Sequence, residues 1–298
     1  MKAEKFSRAL EQVDDRYVME AAQAAPAGRA ATLVWKRWAA VAACLCLLAA
    51  GGAMALHFTA PATAPIVQAA PAADSPDGMR RFMNFGGLRY EFLENGAVYD
   101  IPEEQLGEVL GTLTFDIVSD PQANAQKDLA ATYALGGTVR ELKGCDPDFR
   151  VAVEYEGGFY LCQSTGCTDG RDMDMAAYFA AAGFAENVEG VAVYDHSGAS
   201  LLTELPGEQT EAFVSALAQC VPAQLSEEQY QQIGRAQREG GSFRVVFDLA
   251  DGTQYGFYLI PSLDVAMFGD GRYTLPQDFS ASFGGYFEGL VQGPQPMQ

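Results

Sequence analysis

Apolar residues fall into three patterns along the chain. Phe6, Leu10, Val13, Tyr17 and Ala21 recur at spacings of four, three, four and four, which predicts an amphipathic helix over residues 3–22. Residues 38–56 then run for nineteen positions without a charge. At ~1.5 Å rise per residue a helix there spans roughly 28 Å, close to the ~30 Å hydrocarbon core of a bilayer. From Met79 onward the apolar residues break into short runs separated by glycine, proline, asparagine and aspartate, the pattern of a domain built from strands and helices.

Within that last region the elements can be placed one by one. Residues 88–93 and 97–99 predict two strands joined at Asn95-Gly96, a strong signal for a tight hairpin. Pro102-Glu103-Glu104-Gln105 predicts the first turn of a helix continuing to Leu110. Strands are predicted over 138–142, 150–155 and 159–163, the last two joined by Gly157-Gly158. A helix over 173–182 and a strand over 190–194 follow. Residues 208–220 predict a helix with Phe213, Ala216, Leu217 and Cys220 on one face, and Ser226 with Gln229 forms a capping box opening another that ends near Arg238. Residues 243–249 and 254–260 predict a hairpin around Asp251-Gly252, and the region ends with a helix over 276–290.

The expected fold class is therefore α+β: an extracytoplasmic domain of antiparallel strands and hairpins with several helices, arranged as two similar lobes and preceded by a single transmembrane helix. The domain plan is a cytoplasmic amphipathic segment (1–37), the transmembrane helix (38–56) and a Pro/Ala-rich tether (57–78). The α+β domain follows (79–290, with lobes 79–165 and 190–290), then a tail (291–298).

Charge bears on sidedness. The chain carries 19 Lys and Arg against 39 Asp and Glu, a net charge of -20, with no basic stripe to neutralise phosphates, so nucleic acid is not an expected partner. Residues 1–37 hold seven basic and five acidic residues, which leaves 12 basic and 34 acidic for the rest: +2 against -22. Lys36 and Arg37 flank the apolar run, which predicts a cytoplasmic N-terminus and an extracytoplasmic C-terminal domain at the cell membrane. Two rivals are a signal peptide cleaved near Ala53-Met54-Ala55 and lipidation at Cys44, which follows Val41-Ala42-Ala43.

Several motifs carry a resemblance. They are Ala9-Leu10, Val13-Asp14-Asp15-Arg16-Tyr17-Val18, Glu20-Ala21-Ala22, Trp35-Lys36-Arg37-Trp38 and Ala42-Ala43-Cys44-Leu45-Cys46-Leu47, with the segment from Lys143 through Cys145, Asp146, Phe149 and Arg150 to Val153. Together they resemble uncharacterised single-pass membrane proteins of clostridial bacteria that share an anti-sigma-factor-like layout. The resemblance implies a bacterial, membrane-anchored protein whose inner segment meets a cytoplasmic partner. The zinc-binding module of anti-sigma factors needs a His and two Cys before the membrane, and residues 1–37 contain neither.

Candidate chemistry is sparse. Cys145, Cys162, Cys167 and Cys220 form an even set that permits two disulfides, with Cys162 and Cys167 placed at a turn where they could bridge locally, or they are buried free thiols. Asp195-His196-Ser197 has the residue types of a hydrolase but no Gly-x-Ser-x-Gly elbow. The acids between Asp169 and Asp174 fit helix capping better than a calcium loop. No catalytic residue, metal ligand or cofactor site is assigned, and the chain reads as a binding protein rather than an enzyme. The expected function is a membrane-anchored extracytoplasmic binding or sensing module, with Phe6, Leu10, Val13 and Tyr17 facing a cytoplasmic protein partner. The alternatives are an extracytoplasmic hydrolase or a structural envelope protein.

Overall fold

Short strands dominate the region where the apolar runs are short. The computed structural model describes residues 65–71 and 79–291. Ten strands come first: β1 (Val67–Ala70), β2 (Phe82–Phe85), β3 (Leu88–Phe92), β4 (Val98–Asp100), β5 (Leu106–Thr112), β6 (Phe115–Asp116), β7 (Ala130–Ala131), β8 (Thr138–Leu142), β9 (Arg150–Tyr155) and β10 (Gly158–Cys167). A one-turn helix, α1 (Pro121–Asn124), lies between β6 and β7. The second half contains α2 (Met175–Ala181), α3 (Phe184–Asn187), β11 (Val188–Tyr194), β12 (Leu201–Glu204), α4 (Gly207–Leu217), β13 (Val221–Pro222) and α5 (Glu227–Arg238). It closes with β14 (Phe243–Leu249), β15 (Gln254–Ile260), β16 (Val265–Phe268), β17 (Gly271–Thr274) and α6 (Phe279–Glu288).

The strands form two sheets within one compact unit. The first runs β5-β8-β9-β10-β3-β2-β7-β6, with β4 pairing both β10 and β1. Its pairs are antiparallel except β6 with β7. The second runs β12-β11-β14-β15-β16-β17-β13, antiparallel throughout.

Alternation along the strands decides which faces are buried. Met83, Tyr90, Phe92, Val151, Val153, Tyr160 and Cys162 share one face of the first sheet and form one core. Val191, Val193, Val245, Phe247, Phe257, Leu259 and Tyr273 line the second sheet, and Phe213, Leu217, Phe279 and Phe283 of α4 and α6 pack onto them. Each fully buried aromatic there contributes about 1.5–3 kcal/mol by leaving water. The Ser226–Gln229 capping box is present and opens α5.

The opposite face of the first sheet is polar where the two sheets meet. Arg150 is fully buried there, and its Nη2 donates to Gln163 Oε1 at 2.7 Å. Its Nη1 donates to Thr253 Oγ1 and lies 3.4 Å from Asp251 Oδ2, so a β9 residue is bonded to the turn between β14 and β15.

Several expectations are corrected. β3 and β4 do not form a hairpin: β3 pairs with β2 and β10, and β4 with β1 and β10. Glu94, Asn95 and Gly96 all have positive φ (47°, 51° and 93°), and Asn95 Oδ1 accepts the Arg81 amide, so the chain makes a wide left-handed bend instead of a two-residue turn. The helix expected from Pro102 to Leu110 is a single 3-10 turn, Glu103–Gln105, followed by β5. Gly107 in its interior costs such a helix about 1 kcal/mol, and pairing with β8 wins. Part of the expected tether is β1.

The membrane expectation is corrected as well. Among the described residues no helix is long and apolar enough to cross a membrane. The longest of them, α5, has twelve residues and a mostly polar sequence. Residues 38–56 and the inner stripe of Phe6, Leu10, Val13 and Tyr17 lie outside the described residues. The fold is α+β, with two sheets and several helices and no preceding transmembrane helix among the described residues. The single-pass topology, the extracytoplasmic location and the membrane partnership built on that helix are withdrawn.

Candidate functional site

One strand irregularity organises the junction between the sheets. In β10 the register against β3 shifts between Ser164, opposite Tyr90, and Gly166, opposite Arg89. Thr165 is the extra residue of a bulge, a feature that often re-aims side chains beside a binding site. Its carbonyl accepts the amide of Asp270 from the turn between β16 and β17 at 3.1 Å. Gly269, with φ of +53°, lies so close to Thr165 that a Cβ would collide with the Thr165 backbone. Only glycine allows the second sheet's turn to seat on the bulge.

A cavity of about 200 Å³ opens beside this contact, lined in part by Arg89, Thr165, Arg171, Asp172, Asp270 and Tyr273. Two of its lining residues hold a buried polar atom with no hydrogen-bond partner: Nε of Arg89 and Oγ1 of Thr165, a residue 7% exposed. The Arg89 guanidinium stacks 4.9 Å from the Phe82 ring centre and forms no ion pair among the described residues. Of the other charges on the lining, Arg171 and Asp270 are engaged. Arg171 Nε donates to Asp169 Oδ2 at 2.5 Å, and Arg80 bridges Glu91 at 2.9 Å and Asp270 at 3.6 Å. Burial pushes the Glu91 carboxyl up, against the opposing pull of Arg80. Tyr273 Oη accepts the Met173 amide at 3.2 Å, and burial raises the phenol to about 12, so it stays neutral.

A second cavity, of about 270 Å³, adjoins the first and shares Cys167, Arg171, Asp172 and Met173 with it. Its remaining wall includes Leu88, Ala177, Tyr178 and Ala181. A third, of about 260 Å³, also includes Thr165 in its lining, which is mainly polar, with Glu91, Gln163, Arg244 and Gln254 among the groups.

The residues singled out from the sequence fall elsewhere or take other roles. His196 Nδ1 lies 3.0 Å from Ser242 Oγ, but Ser242 is 1% exposed and offers a substrate no approach. The Asp195 carboxylate accepts from Ser197 Oγ at 2.9 Å and from the Ala199 and Ser200 amides at 3.0 and 3.2 Å, so it holds its own turn and does not orient the imidazole. This overturns the hydrolase alternative, which needs these groups to converge on an open site. Asp174 caps α2 by accepting the Ala177 amide at 3.1 Å. Among the described residues no three His, Cys, Asp or Glu gather to hold a metal ion. The envelope alternative needs exposed aromatics. Phe243, Phe247, Tyr255, Phe257, Phe268, Tyr273, Phe279, Phe283 and Phe287 are instead buried in the core.

Cys145, Cys162, Cys167 and Cys220 are all free thiols. Cys162 and Cys167 belong to the same strand, five residues apart and not at a turn. Five residues of strand span roughly 16 Å, well beyond the ~7 Å between Cα atoms that a disulfide tolerates. Cys167 lines both adjoining cavities, and burial pushes its thiol up, with Asp169 adding to the effect.

Arg89 and Thr165 were not identified from the sequence. Arg89 looks like any outward residue of an alternating strand, and the bulge at Thr165 leaves no local signature.

Compared with family models, curated proteins and solved structures, the chain finds no match in any of the three. The resemblance to clostridial single-pass proteins of anti-sigma-like layout finds no support in these comparisons. With no membrane-spanning helix among the described residues, it is withdrawn together with the anchored-sensor function and the cytoplasmic partner it implied.

Proposed function

We propose that this domain binds a small carboxylate, without chemistry, in the cavity beside the β10 bulge. The observation that carries the reading is that Arg89 and Thr165, two residues lining one cavity, each hold a buried polar atom, Nε and Oγ1, without a partner. A buried donor left unmade costs about 1–3 kcal/mol, more beside a charge, so a partner from outside the chain would recover that cost. The planar guanidinium suits a carboxylate, which it can hold through two parallel bonds. The cavity lacks the parts of a reaction centre: His196 does not line it, and the thiol of Cys167 is held protonated by burial.

The test is a thermal-shift titration of the full chain with 4-methylpentanoate against sodium chloride at matched ionic strength. A saturable rise in Tm is expected, with Arg89→Met abolishing it. No shift at millimolar carboxylate, or an undiminished shift in Arg89→Met, contradicts the proposal.

A further inference from the structure

Building on the carboxylate-binding reading above, we infer that the ligand is a free α-amino acid with an apolar side chain. The charges at the cavity lead there. Arg171 is paired with Asp169 and Asp270 with Arg80, so the charged groups of the lining without an ion pair among the described residues are Arg89 and Asp172. One cation and one carboxylate on the same small cavity match a ligand carrying both signs. A simple anion would leave Asp172 facing it as a like charge inside a chain of net charge -20.

Size and lining supply the rest. About 200 Å³ accommodates a small metabolite and is below the usual range of drug-sized sites. The adjoining cavity shares Asp172 and Met173 with the first and adds the apolar Leu88, Ala177 and Ala181, together with Tyr178, Asp148 and Asp174, the last engaged in capping α2. An α-amino acid places its carboxylate at Arg89 and its ammonium at Asp172. Its side chain then lies along Leu88, Met173 and Ala177 of the adjoining cavity.

The experiment is calorimetric titration of the full chain with L-leucine, 4-methylpentanoate, L-leucinamide, glycine and L-leucyl-L-leucine in turn. Leucine is expected to bind tightest. Removing the ammonium (4-methylpentanoate) or the carboxylate (leucinamide) should each weaken binding at least about tenfold, the scale of one charge-assisted hydrogen bond. Glycine should bind more weakly than leucine. Asp172→Asn should weaken leucine about tenfold and should strengthen 4-methylpentanoate, from which it removes a like charge. Equal binding of 4-methylpentanoate and leucine overturns the amino-acid inference and leaves the carboxylate reading standing. Equal binding of leucinamide and leucine overturns both. Tighter binding of the dipeptide than of leucine overturns the assignment to a free amino acid.

Discussion

Arg150 Nη2 donates to Gln163 Oε1 at 2.7 Å, from a side chain with no exposed surface. The bond joins β9 to β10, and the same guanidinium reaches Thr253 and Asp251 of the second sheet. A buried charge is tolerable only while its donors are met, and Arg150 Nε already has no partner. Gln163→Leu is therefore predicted to destabilise the domain by about 1.5–3 kcal/mol, the worth of a hydrogen bond to a charged group. Adding Arg150→Met to that variant should restore part of the loss, because the charge leaves with its acceptor. Urea denaturation of the single and double variants reads both effects. A Gln163→Leu midpoint equal to that of the parent would show that this bond contributes nothing.

Gly269→Ala tests the seating of the β16–β17 turn on the bulge. The new methyl meets the Thr165 backbone, and the residue has φ of +53°. A loss of about 1–3 kcal/mol is expected, together with weakened carboxylate binding as the cavity wall shifts. Unchanged stability with unchanged binding would mean the turn can move away without cost.

The His196 ring is half-buried against Tyr258 and Ser242. Burial lowers its pKa below the usual ~6.5, against an opposing pull from Asp195. The unfolded chain then binds the proton more readily than the folded one, so stability rises with pH across this window. The contribution is complete above pH ~6.5 and is lost as pH falls through the lower folded value. His196→Gln should flatten the dependence of the urea midpoint between pH 5 and pH 7, a window set about the ordinary histidine value. A slope of the same size in His196→Gln would assign it to other groups.

Thiol labelling should follow burial and ionisation. Burial pushes Cys145 up to about 11 and Cys220 to about 12, and Cys162 is the most enclosed of the four. Mass spectrometry after timed alkylation should find Cys167 modified first and Cys162 last. Because Cys167 lines both cavities, added L-leucine should slow it selectively. Modification of Cys162 ahead of Cys167 would contradict the packing of β10.

Much of the architecture was legible wherever the determinants were local. β8, β9, β14 and β15 fall on the residues that alternation indicated, and Ser226 caps α5 through Gln229 as its spacing required. Local signals misled where a distant strand competed. Asn95-Gly96 does turn the chain, but β10 claims both flanking strands. The Pro102 helix start survives for one turn before β8 pairs with the glycine-spaced residues after it. The candidate site was not legible. Arg89, Thr165, Asp172 and Asp270 come from β3, β10, the loop before α2 and the β16–β17 turn, and no sequence spacing reports their convergence.

The most direct test is the Arg89 Nε–H resonance in full chain labelled with 15N-arginine, followed while L-leucine is added. The account predicts a saturable downfield shift of that resonance, as the unpartnered donor gains a carboxylate, and smaller changes at Arg150. Leucine binding detected by calorimetry with the Arg89 Nε–H resonance unmoved would contradict it.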